Sequence, residues 1–144
     1  MATSFVSSWT RVESSDGAVP ILAPTLEVII AAQGEHAVLE TFLVDSGADI
    51  SMASRRLCDE LRLDWNDGEP IDLNGISPKP ECIVPARVFM VEILIPDIGI
   101  ALPIPICFAD ADTSQLIGRD GFFDCFRVTF DKQQLTTRFE LIEE

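Results

Sequence analysis

The tripeptide Asp45-Ser46-Gly47 is the part of the sequence best suited to chemistry. It follows the apolar run Phe42-Leu43-Val44, which predicts the buried end of a β-strand. A carboxylate placed at the end of a buried strand is partly desolvated, and that environment suits it to acid–base chemistry near neutral pH. Gly47 allows the chain to turn tightly directly after it. By itself the tripeptide is also typical of ordinary turns, in which the aspartate only caps the backbone.

A second segment far downstream strengthens the first. Leu116-Ile117-Gly118-Arg119-Asp120 is an apolar pair, a glycine and then a charged helix start. In this order and at this spacing, the two segments resemble the retropepsin-like aspartic proteases, a family that includes retroviral proteases and bacterial relatives. The resemblance extends over roughly residues 20 to 141. It implies an all-β fold, β-rich with one clear helix, in which each chain forms one lobe of a closed acid-protease barrel.

The resemblance also implies a role for each residue of the two segments. Asp45 matches the catalytic aspartate, and Ser46 matches the hydroxyl residue that bonds across a dimer axis to the partner's loop. Gly47 matches the glycine whose backbone lies against the bound peptide. Asp49 and Arg119 match an acid–base pair that braces the active-site loop, although spacing alone would also fit two solvated surface charges. Two further residues complete the support of the loop, Ala48 and Gly118.

A flap that closes over the substrate is a further expectation from the resemblance, and it would lie within residues 74–85. The candidate substrate contacts of this segment are Gly75, Ile76, Ser77, Ile83 and Val84. Its apolar members predict a preference for large apolar side chains beside the scissile bond, since burying each contributes roughly 2 kcal/mol.

The number of catalytic motifs predicts the assembly. The mechanism that the resemblance implies needs two facing carboxylates, which share one proton because like charges so close cannot both ionise. The chain holds one suitable Asp-Ser-Gly, so a second copy must supply the other carboxylate through a two-fold axis. We therefore expect a homodimeric aspartic endopeptidase that acts on a peptide or protein substrate. Two alternatives stay open: a catalytically silent dimerisation or interaction module of the same fold, and an acidic surface that binds a basic partner.

Composition excludes several other classes of function. The 144 residues carry a net charge of −14, which argues against a nucleic-acid backbone or an anionic membrane as partner. No apolar run is long enough to cross a bilayer. One histidine and four cysteines without a C-x-x-C pair predict no metal site and no cofactor. Reduced, mostly buried thiols and the lack of a secretory signal pattern favour a cytoplasmic protein.

The remaining pattern predicts one domain over residues 20–144, preceded by a loosely held leader over residues 1–19 that is rich in polar residues. A helix is expected over residues 52–63 from its apolar stripe. Phe122, Phe123 and Phe126 are expected to lie in the core or at a dimer interface. The strands that apolar alternation predicts cover residues 26–32, 36–44, 71–73, 87–95, 100–108, 116–117, 126–130 and 135–141.

Overall fold

A computed structural model describes residues 3–13, 19–32, 36–73 and 83–142 of the chain. The helical segments of this part are α1 (Arg55–Glu60), α2 (Phe122–Cys125) and one 3₁₀ turn at Trp65–Asp67. Its strands are β1 (Ser4–Ser8), β2 (Thr10–Glu13), β3 (Pro20–Ala23), β4 (Thr25–Ala32), β5 (His36–Val44), β6 (Ser51–Ser54), β7 (Glu69–Leu73), β8 (Val84–Ile95), β9 (Ile100–Ala109), β10 (Leu116–Ile117), β11 (Phe126–Asp131) and β12 (Thr136–Leu141).

Six strands close into a barrel. They follow the order β4-β5-β10-β6-β9-β8, and β4 pairs with β8 to complete the ring. The alternation that the sequence shows places one face of each strand inside, as in β4, where Leu26, Val28 and Ile30 are buried. A seventh strand, β7, extends the sheet beyond β8. The closed, strand-rich architecture confirms the predicted fold class.

The two ends of the described chain form a separate three-stranded sheet in the order β1-β12-β11. The polar composition of residues 1–19 predicts a loosely held leader, yet Ser4–Ser8 pairs with β12 along its whole length. The physical reason is Phe5, whose ring stacks on that of Phe139 with 4.7 Å between centroids. Trp9 adds a hydrogen bond from Nε1 to the Thr137 hydroxyl at 2.9 Å. Backbone pairing, the buried ring of Phe5 and the Trp9 hydrogen bond together fix this polar segment to the body of the protein.

The predicted helix over residues 52–63 is wrong at both ends. The structure places Ser51–Ser54 in β6, which runs parallel to β9, and limits the helix to Arg55–Glu60. Ala53 is completely buried in this position. A strand forms here because β9 offers a free backbone ladder, and tertiary pairing outweighs weak helix propensity. No helix in the described part of the chain is long and apolar enough to span a membrane.

Candidate active site

Three strands converge on the loop of residues 45–50. β10 runs parallel to the end of β5, with Leu116 opposite Leu43 and Ile117 opposite Val44. It also pairs antiparallel with the start of β6 through Leu116 and Met52. The strand that enters the loop and the strand that leaves it are therefore joined through β10, so the two sequence motifs meet.

Asp45 directly follows the end of β5 that pairs with β10. Its N–H donates to the Ile117 carbonyl oxygen at 2.9 Å, which continues the parallel ladder by one residue. The side chain is half-buried, and its Oδ1 accepts a hydrogen bond from the Gly47 N–H at 2.9 Å. A Cβ on Gly47 would lie only 3.2 Å from that same oxygen. Ser46 and Gly47 are both exposed. The loop thus orients a solvent-accessible carboxylate with one main-chain donor.

The far half of the loop is fastened to the segment after β10. The N–H of Arg119 donates to the Ala48 carbonyl oxygen and the N–H of Asp120 donates to the Asp49 carbonyl oxygen, each at 2.9 Å. The Arg119 guanidinium forms an ion pair with the Asp49 carboxylate. Both side chains are largely exposed, so the pair contributes little to stability, at most about 1 kcal/mol. Its geometric effect is to join the same two segments as the main-chain bonds.

Gly118 is the point of closest approach between the two segments. A Cβ at this residue would lie 2.5 Å from the carbonyl carbon of Ile50 and 2.6 Å from its oxygen, so only glycine fits without a backbone shift. The Gly118 N–H donates to the Ser51 Oγ at 3.0 Å in a buried environment. The sequence patterns gave Ser51 no role. The available signal was a hydroxyl residue directly after the motif, but its complete burial depends on the tertiary structure.

The predicted flap residues stand apart from this cluster. Gly75, Ile76 and Ser77 lie outside the described residues. Ile83 is exposed, and Val84 is half-buried at the start of β8, where it pairs with Leu73 of β7. The structure therefore brings together the residues predicted around Asp45 and Gly118. It describes only the last two of the five predicted substrate contacts.

Metal ligands and cysteine thiols are the other groups of the chain that could do chemistry. Within the described ranges, no group of three His, Cys, Asp or Glu side chains is placed to hold a metal ion. Burial raises the pKa of the Cys58 thiol to about 11, with a smaller contribution from the negative charge of Asp59. Burial also raises the pKa of the Cys107 thiol. Thiols whose pKa is raised stay protonated at neutral pH, and a protonated thiol is a poor nucleophile.

Comparison with known proteins addresses the fold. No protein-family model matches the chain, and no curated protein matches it either. A retropepsin-like aspartic protease from Rickettsia conorii is similar in structure, with a TM-score of 0.65 and 14% identity over 98% of this chain and 92% of that one. EIAV protease complexed with the inhibitor HBY-793 aligns with a TM-score of 0.49 and 24% identity, over 71% of this chain and 86% of that one. The chain therefore has the retropepsin-like aspartic protease fold that its two motifs indicated.

Proposed function

We propose that the protein is an aspartic endopeptidase that acts as a homodimer, each copy supplying one Asp45 carboxylate. The observation that carries the proposal is the position of Asp45. It lies half-buried at the end of a barrel strand, with its Oδ1 oriented by the Gly47 N–H. The retropepsin-like fold supports the same conclusion, because the Rickettsia conorii protein of this fold is an aspartic protease.

The mechanism follows from placing two such carboxylates across a two-fold axis. The pair shares one proton, because two adjacent negative charges repel each other strongly. The unprotonated carboxylate removes a proton from a water molecule, whose oxygen attacks the carbonyl carbon of the peptide bond. The protonated carboxylate donates its proton to the carbonyl oxygen. The carboxylate that took the proton from the water then passes it to the amide nitrogen, and the C–N bond breaks. The other carboxylate takes a proton back from a hydroxyl of the tetrahedral intermediate, so the pair again holds one proton.

The remaining residues have positioning roles in this proposal. Ser46 is exposed beside Asp45, where its hydroxyl is available to the loop of a second copy. Gly47 leaves room for the backbone of the peptide substrate. Four residues hold the loop through the contacts described above: Ala48, Asp49, Gly118 and Arg119. The proposed contacts with the substrate side chains are Gly75, Ile76, Ser77, Ile83 and Val84.

The proposal also includes a cellular compartment. The three cysteines that the structure describes, Cys58, Cys107 and Cys125, are free thiols. Free, buried thiols are typical of a reducing compartment, so we propose that the protein acts in the cytoplasm, without a cofactor.

The decisive experiment incubates the pure protein with a diverse peptide library from acidic to neutral pH, beside the variant Asp45→Asn. Asparagine keeps the shape of the side chain but cannot act as a base or share a proton, so cleavage should be lost while the melting temperature is retained. Asp97→Asn is the matched control, because Asp97 is an exposed turn aspartate. Its cleavage should equal that of the wild type.

Sedimentation of the same samples tests the assembly. The dimer fraction and the cleavage rate should change together with protein concentration. A monomer that cleaves peptides would contradict the assignment of one aspartate to each copy. A stable dimer that cleaves no library peptide would instead favour the catalytically silent module.

A further inference from the structure

A pocket of about 300 Å³ lies between β2 and β5, beside the strand that carries Asp45. Its walls include Glu13, Thr41, Leu43 and Gln115, and no lysine or arginine is among the described residues that line it. Leu43 precedes Asp45 by two residues, a distance of about 7 Å along an extended strand. A peptide bound at Asp45 therefore needs only a few residues to reach this pocket.

Gln115, one of the residues that line the pocket, has one buried acceptor without a hydrogen-bond donor in the described part of the chain. Its Nε2 donates to Glu40 Oε2 at 3.1 Å and to the Thr41 carbonyl oxygen at 2.9 Å. Because both partners are acceptors, the amide cannot be turned round, and the positions of its oxygen and nitrogen are fixed. The Oε1 is buried, and no described group donates a hydrogen bond to it. This oxygen calls for an N–H or O–H donor.

The edge of β5 beside the pocket is only partly paired, because the Thr41 carbonyl oxygen accepts from the Gln115 side chain while the Thr41 N–H and the main-chain groups of Leu39 have no strand partner within the described residues. The N–H groups of Leu43 and Asp45 donate to carbonyl oxygens of Gln115 and Ile117, both at 2.9 Å. Because donors alternate along a strand, the N–H groups of Leu39 and Thr41 point to the same side. No described strand pairs with β5 there, since β10 covers only its last two residues. Such an edge can accept an extended peptide as an added strand.

The negative charge around the pocket favours a cationic occupant. Glu13 is in its wall, and Glu40 lies against the amide of Gln115. Neither carboxylate has an ion-pair partner within the described residues. The whole chain carries a net charge of −14, so the surrounding field also favours a cation.

We propose that this edge and pocket bind a segment of the peptide substrate outside the scissile bond, in extended form and with an arginine or lysine side chain in the pocket. The cationic N–H groups donate to Gln115 Oε1 and pair with the Glu13 carboxylate. This inference rests on the proposed function and adds a substrate class to it: peptides that carry a basic residue a few positions from the cleaved bond.

Binding to Asp45→Asn tests the inference without cleavage. The probes are two labelled, end-capped peptide pools of otherwise random sequence, with arginine or norleucine at one fixed position that is moved along the peptide. At one position the arginine pool should bind about tenfold more tightly, the gain expected for a hydrogen bond to a charged group. Equal binding of both pools at every position would overturn the inference.

Two variants in the Asp45→Asn background localise the effect. Gln115→Ala and Glu13→Gln should each remove most of the arginine preference. The matched controls are Gln133→Ala and Glu27→Gln, at exposed residues outside the pocket lining. Glu13→Gln keeps the test valid if Gln115→Ala fails to fold, since Glu13 is exposed. An arginine preference that survives Glu13→Gln unchanged would contradict the assignment.

Cleavage by the wild type then separates the two proposals. A basic residue at the selected position should lower KM and leave kcat nearly unchanged, because it acts away from the reacting atoms. A wild type that cleaves no pool overturns the proposed function and the assignment to a substrate, whatever the binding result. Cleavage without any effect of arginine on KM overturns this inference alone.

Discussion

The loop of residues 45–50 is fixed by hydrogen bonds near the surface, whereas the terminal sheet is fixed by buried aromatic rings. In the loop, the main-chain bonds of Asp45, Ala48 and Asp49 measure 2.9 to 3.2 Å, and most of its side chains reach solvent. In the sheet, the ring of Phe139 is fully buried and lies 5.9 Å from that of Phe122 and 6.4 Å from that of Phe126.

This difference separates chemistry from stability. An exposed loop contributes little apolar burial, so its side chains can change with little effect on the fold. The aromatic cluster of Phe122, Phe126 and Phe139 contributes apolar burial and ring packing, but it lies outside the loop that carries Asp45. We therefore expect variants of the aromatic cluster to lower the free energy of unfolding and variants of the loop to change the proposed activity.

The largest effect on stability should come from Phe139→Ala. Removal of a fully buried ring loses apolar burial and leaves a cavity, so the free energy of unfolding should fall by about 3–5 kcal/mol. Urea unfolding measures the change. Phe130→Ala is the control, because the Phe130 side chain is 38% exposed, and its cost should be much smaller. Similar costs for both variants would mean that the terminal sheet does not depend on its buried rings.

Ser51→Ala should have the next largest effect on stability. Ser51 is buried like the aromatic cluster but anchors the loop of residues 45–50 through Gly118. The substitution leaves the buried Gly118 N–H without its acceptor, which costs about 1–3 kcal/mol. Ser8→Ala removes an exposed hydroxyl outside both the loop and the pocket and serves as the control. If the proposed function holds, cleavage by Ser51→Ala should also fall, because Gly118 anchors the loop. Unchanged stability in thermal unfolding would contradict the importance of this buried bond.

Alkaline pH should lower the free energy of unfolding, because it favours ionisation of a buried thiol. The Cys58 thiol has its pKa raised from 9.0 to about 11, so the folded protein keeps this proton to higher pH than the unfolded chain. The associated stability is fully present below pH 9 and is lost as pH rises toward 11, by about 1 kcal/mol for each pH unit. Urea unfolding across this range measures the slope. Cys58→Ala should reduce it, and an unchanged slope would assign it to other groups.

The smallest effect on stability should come from Asp49→Asn. The ion pair with Arg119 is exposed, so its loss should change the free energy of unfolding by less than about 1 kcal/mol. High salt should reduce the difference between variant and wild type further. A larger loss would show that the loop contributes to global stability, and the contrast between the two regions would then fail.

Strand periodicity in the sequence predicted much of the barrel, including β5 and β10. Both have the predicted bounds, because strict alternation or a short apolar run leaves few choices for a strand that packs on a core. That the segments around Asp45 and Gly118 meet was implied by their resemblance to the two retropepsin-like motifs, not by spacing alone. The strand bounds are local features, and side-chain pattern and turn chemistry are sufficient to encode them.

Tertiary structure decided what depends on distant partners. Residues 52–54 were predicted as the start of a helix but form a strand, because β9 supplies the ladder. The polar composition of Ser4–Ser8 predicted a loosely held segment, but Phe5 packs on Phe139, which is more than a hundred residues away in sequence. The buried acceptor of Ser51 and the unpaired oxygen of Gln115 likewise exist only once separate strands are side by side. Burial and hydrogen-bond satisfaction are properties of the assembled core, which no local window of sequence contains.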